Sequence, residues 1–152
     1  MTLLKLLHLL AALIWVGGMF FAYVVLRPAA VETLEPPQRL RLWDAVFGRF
    51  FTWVWGASAA LLVSGLYMIY LLGGIKHVGT HIHIMLTLGL AMMVIFGYVF
   101  FACYVPFNLD VSNQRWKEAG EMLGKIRKLI ALNLSLGLLI VCVVATGAAW
   151  AR

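Results

Sequence analysis

The stretch Gly79–Pro106, "GTHIHIMLTLGLAMMVIFGYVFFACYVP", decides how the rest of the chain is read. From Thr80 to Val105 it contains no lysine, arginine, aspartate or glutamate. At about 1.5 Å per residue such a run crosses the roughly 30 Å of hydrocarbon in a bilayer. Lipid offers the backbone no hydrogen-bonding partner, so the segment must be helical. Its opening is unusual, because two imidazoles, His81 and His83, stand at the mouth of the span.

Working outward, three more apolar segments separate: about Leu3–Leu26, Phe50–Leu72 and Leu129–Trp150, alongside Thr80–Val105. The sequence therefore predicts an all-α integral membrane protein, a four-helix bundle forming one domain over residues 1–152. Composition agrees: 64% of residues are hydrophobic and 12% charged, about half the charge of a soluble domain. The first segment follows Lys5 like a signal peptide, but it is too long and lacks a small-residue cleavage site, so it reads as a retained span. Arg27-Pro28 and Pro106 are expected to end spans one and three. Pro36-Pro37 is expected to start a short amphipathic surface helix over Gln38–Phe47.

The net charge of +6 reports orientation rather than nucleic-acid binding. Nine of the 12 basic residues flank two of the connections: Arg27, Arg39, Arg41 and Arg49, then Arg115, Lys117, Lys125, Arg127 and Lys128. Only Lys5, Lys76 and Arg152 belong to the other side. The positive-inside rule puts the basic side in the cytoplasm and both termini outside. Setting His8 on His83 aligns Phe21 with Phe96 and Tyr23 with Tyr98, and Ser64-Gly65 resembles Thr146-Gly147. This suggests two parallel helical hairpins related by a pseudo-two-fold axis along the membrane normal.

All four histidines, His8, His77, His81 and His83, fall on the outer side. His8 lies about 7 Å inside span one and His83 slightly less deep in span three. Two neutral imidazoles facing each other in a bundle suit the axial positions of a haem b. His81 and His83 point about 200° apart on a helix, so only one of them meets His8. The repeat selects His83, leaving His81 for the rim or a second metal site. Trp15 lies two turns below His8 on the same face, and Gly17-Gly18 removes bulk beside it, either for helix packing or for a flat cofactor. Lys76 and Arg152 are candidates to meet haem propionates. The methionines, among them Met85, Met92 and Met93, read as packing when measured from His83, although thioether with imidazole also suits Cu(I). Cys103 and Cys142 lie in apolar runs and form no metal-ligand spacing.

The first span, "LLHLLAALIWVGGMFF" at Leu6–Phe21, resembles the opening of CopD-like (copper resistance D) bacterial membrane proteins. With "HIHIML" at His81–Leu86 it is also similar to the HemJ-type family, whose pattern has a histidine in span one and a tryptophan–histidine–x–lysine stretch later. Here Met85 replaces the lysine, which weighs against protoporphyrinogen oxidation. The CopD resemblance implies copper handling at the inner membrane; both imply a small bundle with a histidine-lined site.

Three functions follow as expectations. The first is an electron-transfer protein with one haem b between His8 and His83, exchanging electrons with a quinol or a periplasmic redox partner. The second is a Cu(I) transport or homeostasis protein using His8, His81, His83 and the deeper methionines. The third is a non-catalytic accessory subunit. Aromatic and glycine surfaces also allow a homodimer. The chain carries no acid–base or nucleophile set, so an oxidoreductase role would rest on the haem.

Overall fold

The computed structural model describes residues 1–150, with side chains to Gly147. The described residues form helices joined by short turns: α1 (Thr2–Phe20), α2 (Arg27–Thr33), α3 (Pro36–Leu71), α4 (Thr80–Tyr98), α5 (Val105–Ser112) and α6 (Trp116–Trp150). Four continuous rods are long and apolar enough to cross a membrane: Thr2–Thr33, Pro36–Leu71, Thr80–Ser112 and Trp116–Gly147. The protein is thus a multi-pass, all-helical membrane bundle.

The rods run past the ends expected from the prolines. Pro28 and Pro106 do not stop spans one and three. Each is instead preceded by a π-helical segment, Phe21–Leu26 before α2 and Val99–Tyr104 before α5. Proline lacks an N–H and its ring crowds the carbonyl one turn back. A wider turn relieves both problems in lipid, where an orphaned carbonyl is costly. The Arg27 N–H reaches Ala22 O, and the Val105 N–H reaches Phe100 O, each five residues back. The same device at the same place in both halves is consistent with a duplicated hairpin.

The segment Gln38–Phe47 is likewise not a separate surface helix. Pro36-Pro37 does open a helix, with Glu35 and Gln38 forming a capping box, but α3 then continues unbroken to Leu71. The 36 residues of α3 span about 54 Å at 1.5 Å per residue, far more than the hydrocarbon. The surplus carries Arg39 and Arg41, as the start of α6 carries Lys117 and Lys125, so much of what the charges marked as loops is helix.

Span one packs chiefly on span two and span three on span four, whereas α1 and α4 scarcely touch. The halves are joined by aromatic side chains in the middle and at the basic end. Phe47 and Phe51 stack with ring centroids 5.1 Å apart. Phe51 meets Phe96 and Tyr104 edge-on at 5.5 and 5.2 Å. Trp15 meets Phe96 edge-on at 5.9 Å. The histidine ends of spans three and four hold no such bulk: between Thr80 and Ala91 no residue is buried.

Gly18 lets span two approach span one, because a Cβ there would lie 2.3 Å from Phe50 Cε2. Gly56 has nothing within 4 Å of the same position. Gly18→Ala is therefore expected to destabilise the protein by about 1–3 kcal/mol through overpacking, and Gly56→Ala to leave it unchanged or slightly more stable. Thermal unfolding in detergent, followed by helical circular dichroism, measures both. Adding Phe50→Ala to Gly18→Ala should recover part of the loss.

Candidate functional site

Between the two hairpins, at the histidine end, lies a cavity of about 360 Å³ to which all four spans contribute. Span one gives His8, Ala12 and Trp15; span two gives Leu61 and Gly65. Span three gives Met85, Gly89, Met92 and Met93, and span four gives Gly137 and Ile140. The void follows from the packing just described: large rings fill the middle and basic end, while leucines, glycines and unbranched thioethers line the histidine end. Trp15, only 2% exposed, lies among the lining residues and in the core. At Gly137 a Cβ would meet Val16 Cγ2 at 2.8 Å and Met92 Cε at 3.3 Å, so this glycine admits both tips.

His8 is the polar residue of this lining. Its Nδ1 lies 2.8 Å from Ser64 Oγ on span two. The Ser64 hydroxyl donates its one proton to Ala60 O, one turn back on its own helix. Its oxygen is then an acceptor, so His8 must donate from Nδ1. In the neutral ring this fixes the tautomer: Nε2 is unprotonated and carries a free lone pair. No residue among those described hydrogen-bonds to Nε2. This is the state in which imidazole binds a metal, with a hydrogen bond behind it to hold the ring. Gly65 makes room for the ring, since a Cβ there would lie 3.2 Å from His8 Cε1.

Met85, Gly89, Met92 and Met93 face the cavity together. Counted from Gly89, the methionines lie four residues before and three and four residues after, the separations of one helix face. Sequence reasoning measured the methionines from His83 and missed this stripe; measured from Met85, the spacing shows it. Below, Asn133 is 4% exposed and donates from Nδ2 to Met92 O at 3.3 Å. Its Oδ1 has no partner among the described residues, and the residue lines a small void with Trp15 and Met19.

The other sequence candidates lie elsewhere. His83 is exposed and donates from Nδ1 to Gly79 O at 3.2 Å, one turn back on its own helix. It is not among the cavity-lining residues, so the structure does not bring it together with His8. His81 packs on span four, where a Cβ on Gly147 would lie 2.6 Å from His81 Cβ. His77 and Lys76 are exposed in the turn Ile75–His77, and His77 Nδ1 donates to Gly73 O. Gly18 faces Phe50 rather than the cavity. Arg152 lies outside the described residues. No cluster of three or more histidine, cysteine or acidic side chains with metal-binding geometry occurs among the described residues; the soft donors here are one imidazole and three thioethers.

The family model CopD, described as Copper resistance protein D, matches residues 44–146. Ser64 and the methionine stripe fall inside the match, and His8 and Trp15 precede it. No curated protein and no solved structure matches the chain.

The tautomer assignment is directly testable. In protein with ¹⁵N-labelled histidine, His8 should give a protonated Nδ1 and a bare Nε2 at neutral pH. Ser64→Ala should abolish that preference while leaving the signals of His81 and His83 in place.

Proposed function

The chain belongs to the copper resistance protein D (CopD) family, and from that premise we propose that it binds and passes Cu(I) within the membrane through the cavity between its hairpins. The observation that carries this reading is the pairing of a tautomer-locked His8 with the thioethers of Met85, Met92 and Met93 around one cavity. Neutral imidazole and thioether are soft donors that suit Cu(I) and poorly suit hard cations. An all-neutral donor set also suits a cargo that must leave again. It adds no fixed negative charge to hold the ion in a low-dielectric site.

The residues then divide the work. His8 Nε2 receives the ion at the histidine end, which the positive-inside rule places outside. Ser64 holds the ring. Met85 and Met93 supply flexible sulfurs that follow the ion, and Met92, backed by Asn133, leads toward Met19. Copper is the substrate here, not a resident cofactor.

The haem b reading rests on the same His8 and on the apolar wall with Trp15, and it needs a second axial ligand. His83 would have to leave Gly79 O and turn from the exposed face to supply it. The copper reading draws on donors that already line one cavity, so we favour it.

Anaerobic Cu(I) titration of detergent-purified protein against a chromophoric chelator tests the proposal. One Cu(I) should bind per chain, and His8→Ala should abolish competition. Ser64→Ala should weaken binding about 10- to 100-fold, the usual effect of losing the group that orients a ligand. Replacing Met85 and Met93 by leucine should weaken it further, while His83→Ala should have no effect. Unchanged binding in His8→Ala would sink the reading. An absorption spectrum of the same sample discriminates haem: a Soret band lost in both His8→Ala and His83→Ala would assign haem b in its place.

A further inference from the structure

At the opposite end of the bundle a second cleft, of about 290 Å³, carries different chemistry. Three arginines line it from three separate elements: Arg27 at the start of α2, Arg39 in the first turns of α3 and Arg127 on α6. Trp43 and Trp116 complete its walls with Leu40.

Basic residues at one membrane face are ordinary, so the ordinary reading must be set against this one. Of the nine basic residues at this end, Arg41, Arg49, Arg115, Lys117, Lys125 and Lys128 are exposed, as solvated orientation signals should be. Arg27, Arg39 and Arg127 are half-buried, and they are the three that converge. No carboxylate is among the cleft-lining residues. The salt bridge found among the described residues, Arg115 to Asp110 at 2.6 Å, lies outside the cleft. The acidic groups nearest in sequence are otherwise placed. Glu35 caps α3, Asp44 accepts from Asn108, and Glu32, Glu118 and Glu121 are exposed. Arg27 lies over the Tyr23 ring, its guanidinium carbon 5.1 Å from the centroid, a contact that brings no negative charge.

Bringing three guanidinium groups together without a counter-charge is unfavourable unless an anion completes the cluster. The guanidinium fork matches the oxygens of phosphate in a bidentate way that lysine does not. The flanking indoles are the side chains that favour the headgroup level of a membrane. We propose that the Arg27–Arg39–Arg127 cleft is a binding site for a phosphate-bearing anion, supplied by an anionic phospholipid headgroup or by a soluble phosphate. The site is separate from the His8 cavity and does not depend on the copper reading.

The test uses the full chain in neutral detergent, with phosphatidylglycerol, phosphatidylcholine and inorganic phosphate as probes. Native mass spectrometry should show phosphatidylglycerol retained over phosphatidylcholine. Arg39→Gln or Arg127→Gln should each lower that retention roughly tenfold, the effect of losing one charge-assisted hydrogen bond. Arg49→Gln, outside the cleft, should change nothing. Thermal unfolding gives a second readout that misfolding cannot imitate. Arg127→Gln should raise the midpoint without anion, by relieving repulsion, and lower it relative to wild type when phosphatidylglycerol is present. Displacement of the lipid by millimolar inorganic phosphate would identify a soluble anion as the ligand, whereas lipid binding insensitive to phosphate would identify the headgroup. Equal retention of both lipids, with no response to phosphate and no crossover in the midpoints, would overturn the proposal.

Discussion

The hydrogen bond from His8 to Ser64 is the contact on which the proposed copper chemistry depends. It ties span one to span two, fixes a tautomer and leaves one nitrogen bare beside an apolar cavity. Without it a half-buried histidine near a membrane face is only a polar residue seeking water. With it the ring has a direction and a protonation state. The bond in turn needs a serine whose own proton is already committed to the carbonyl one turn back, a common habit of serine in membrane helices.

That arrangement survives because the rest of the bundle is uneven. Aromatic rings from spans two and three pack the middle and the basic end. The histidine end is left with leucine, glycine and methionine, and the cavity is the shortfall in volume. Backbone satisfaction in lipid is met in the same regions by π-helical segments that carry each proline through the helix without breaking it. The one buried side-chain atom that stays unpartnered among the described residues, Asn133 Oδ1, lies just below the cavity, next to Met92. Such a group is costly in a dry interior, and natural proteins tend to keep such costs at functional sites.

The four spans were legible in the sequence because apolar length alone specifies them, and so was the clustering of charge at one end. The span ends were not. A proline reads locally as a stop, and only the structure shows the wide turn that absorbs it. His8 and Trp15 were legible as site candidates from their depth and spacing. Ser64 was not, since the contact joins residues 56 positions apart and a lone serine in a span carries no mark. The methionine stripe was present in the spacing but was measured from His83, whose ring belongs to a different face of the helix. The convergence of three arginines was hidden among nine that look alike in sequence.

The site is one-sided, although both halves carry the π-helical segment before a proline. In the first hairpin His8 lies against Gly65, next to a hydroxyl residue, Ser64. In the second His81, rather than His83, lies against Gly147, next to Thr146. Each hairpin thus sets a histidine against a glycine, His8 by its ring edge and His81 by its Cβ. The second seat is not wired in the same way: Thr146 donates to Cys142 O as Ser64 does to Ala60 O, but no hydrogen bond joins Thr146 to His81 among the described residues. In its place the second hairpin presents Met85, Met92 and Met93 to the shared cavity. A symmetric pair of histidines would grip a metal from both sides. This pair of hairpins offers one fixed imidazole on one wall and flexible thioethers on the other, an arrangement better suited to handing an ion on than to keeping it.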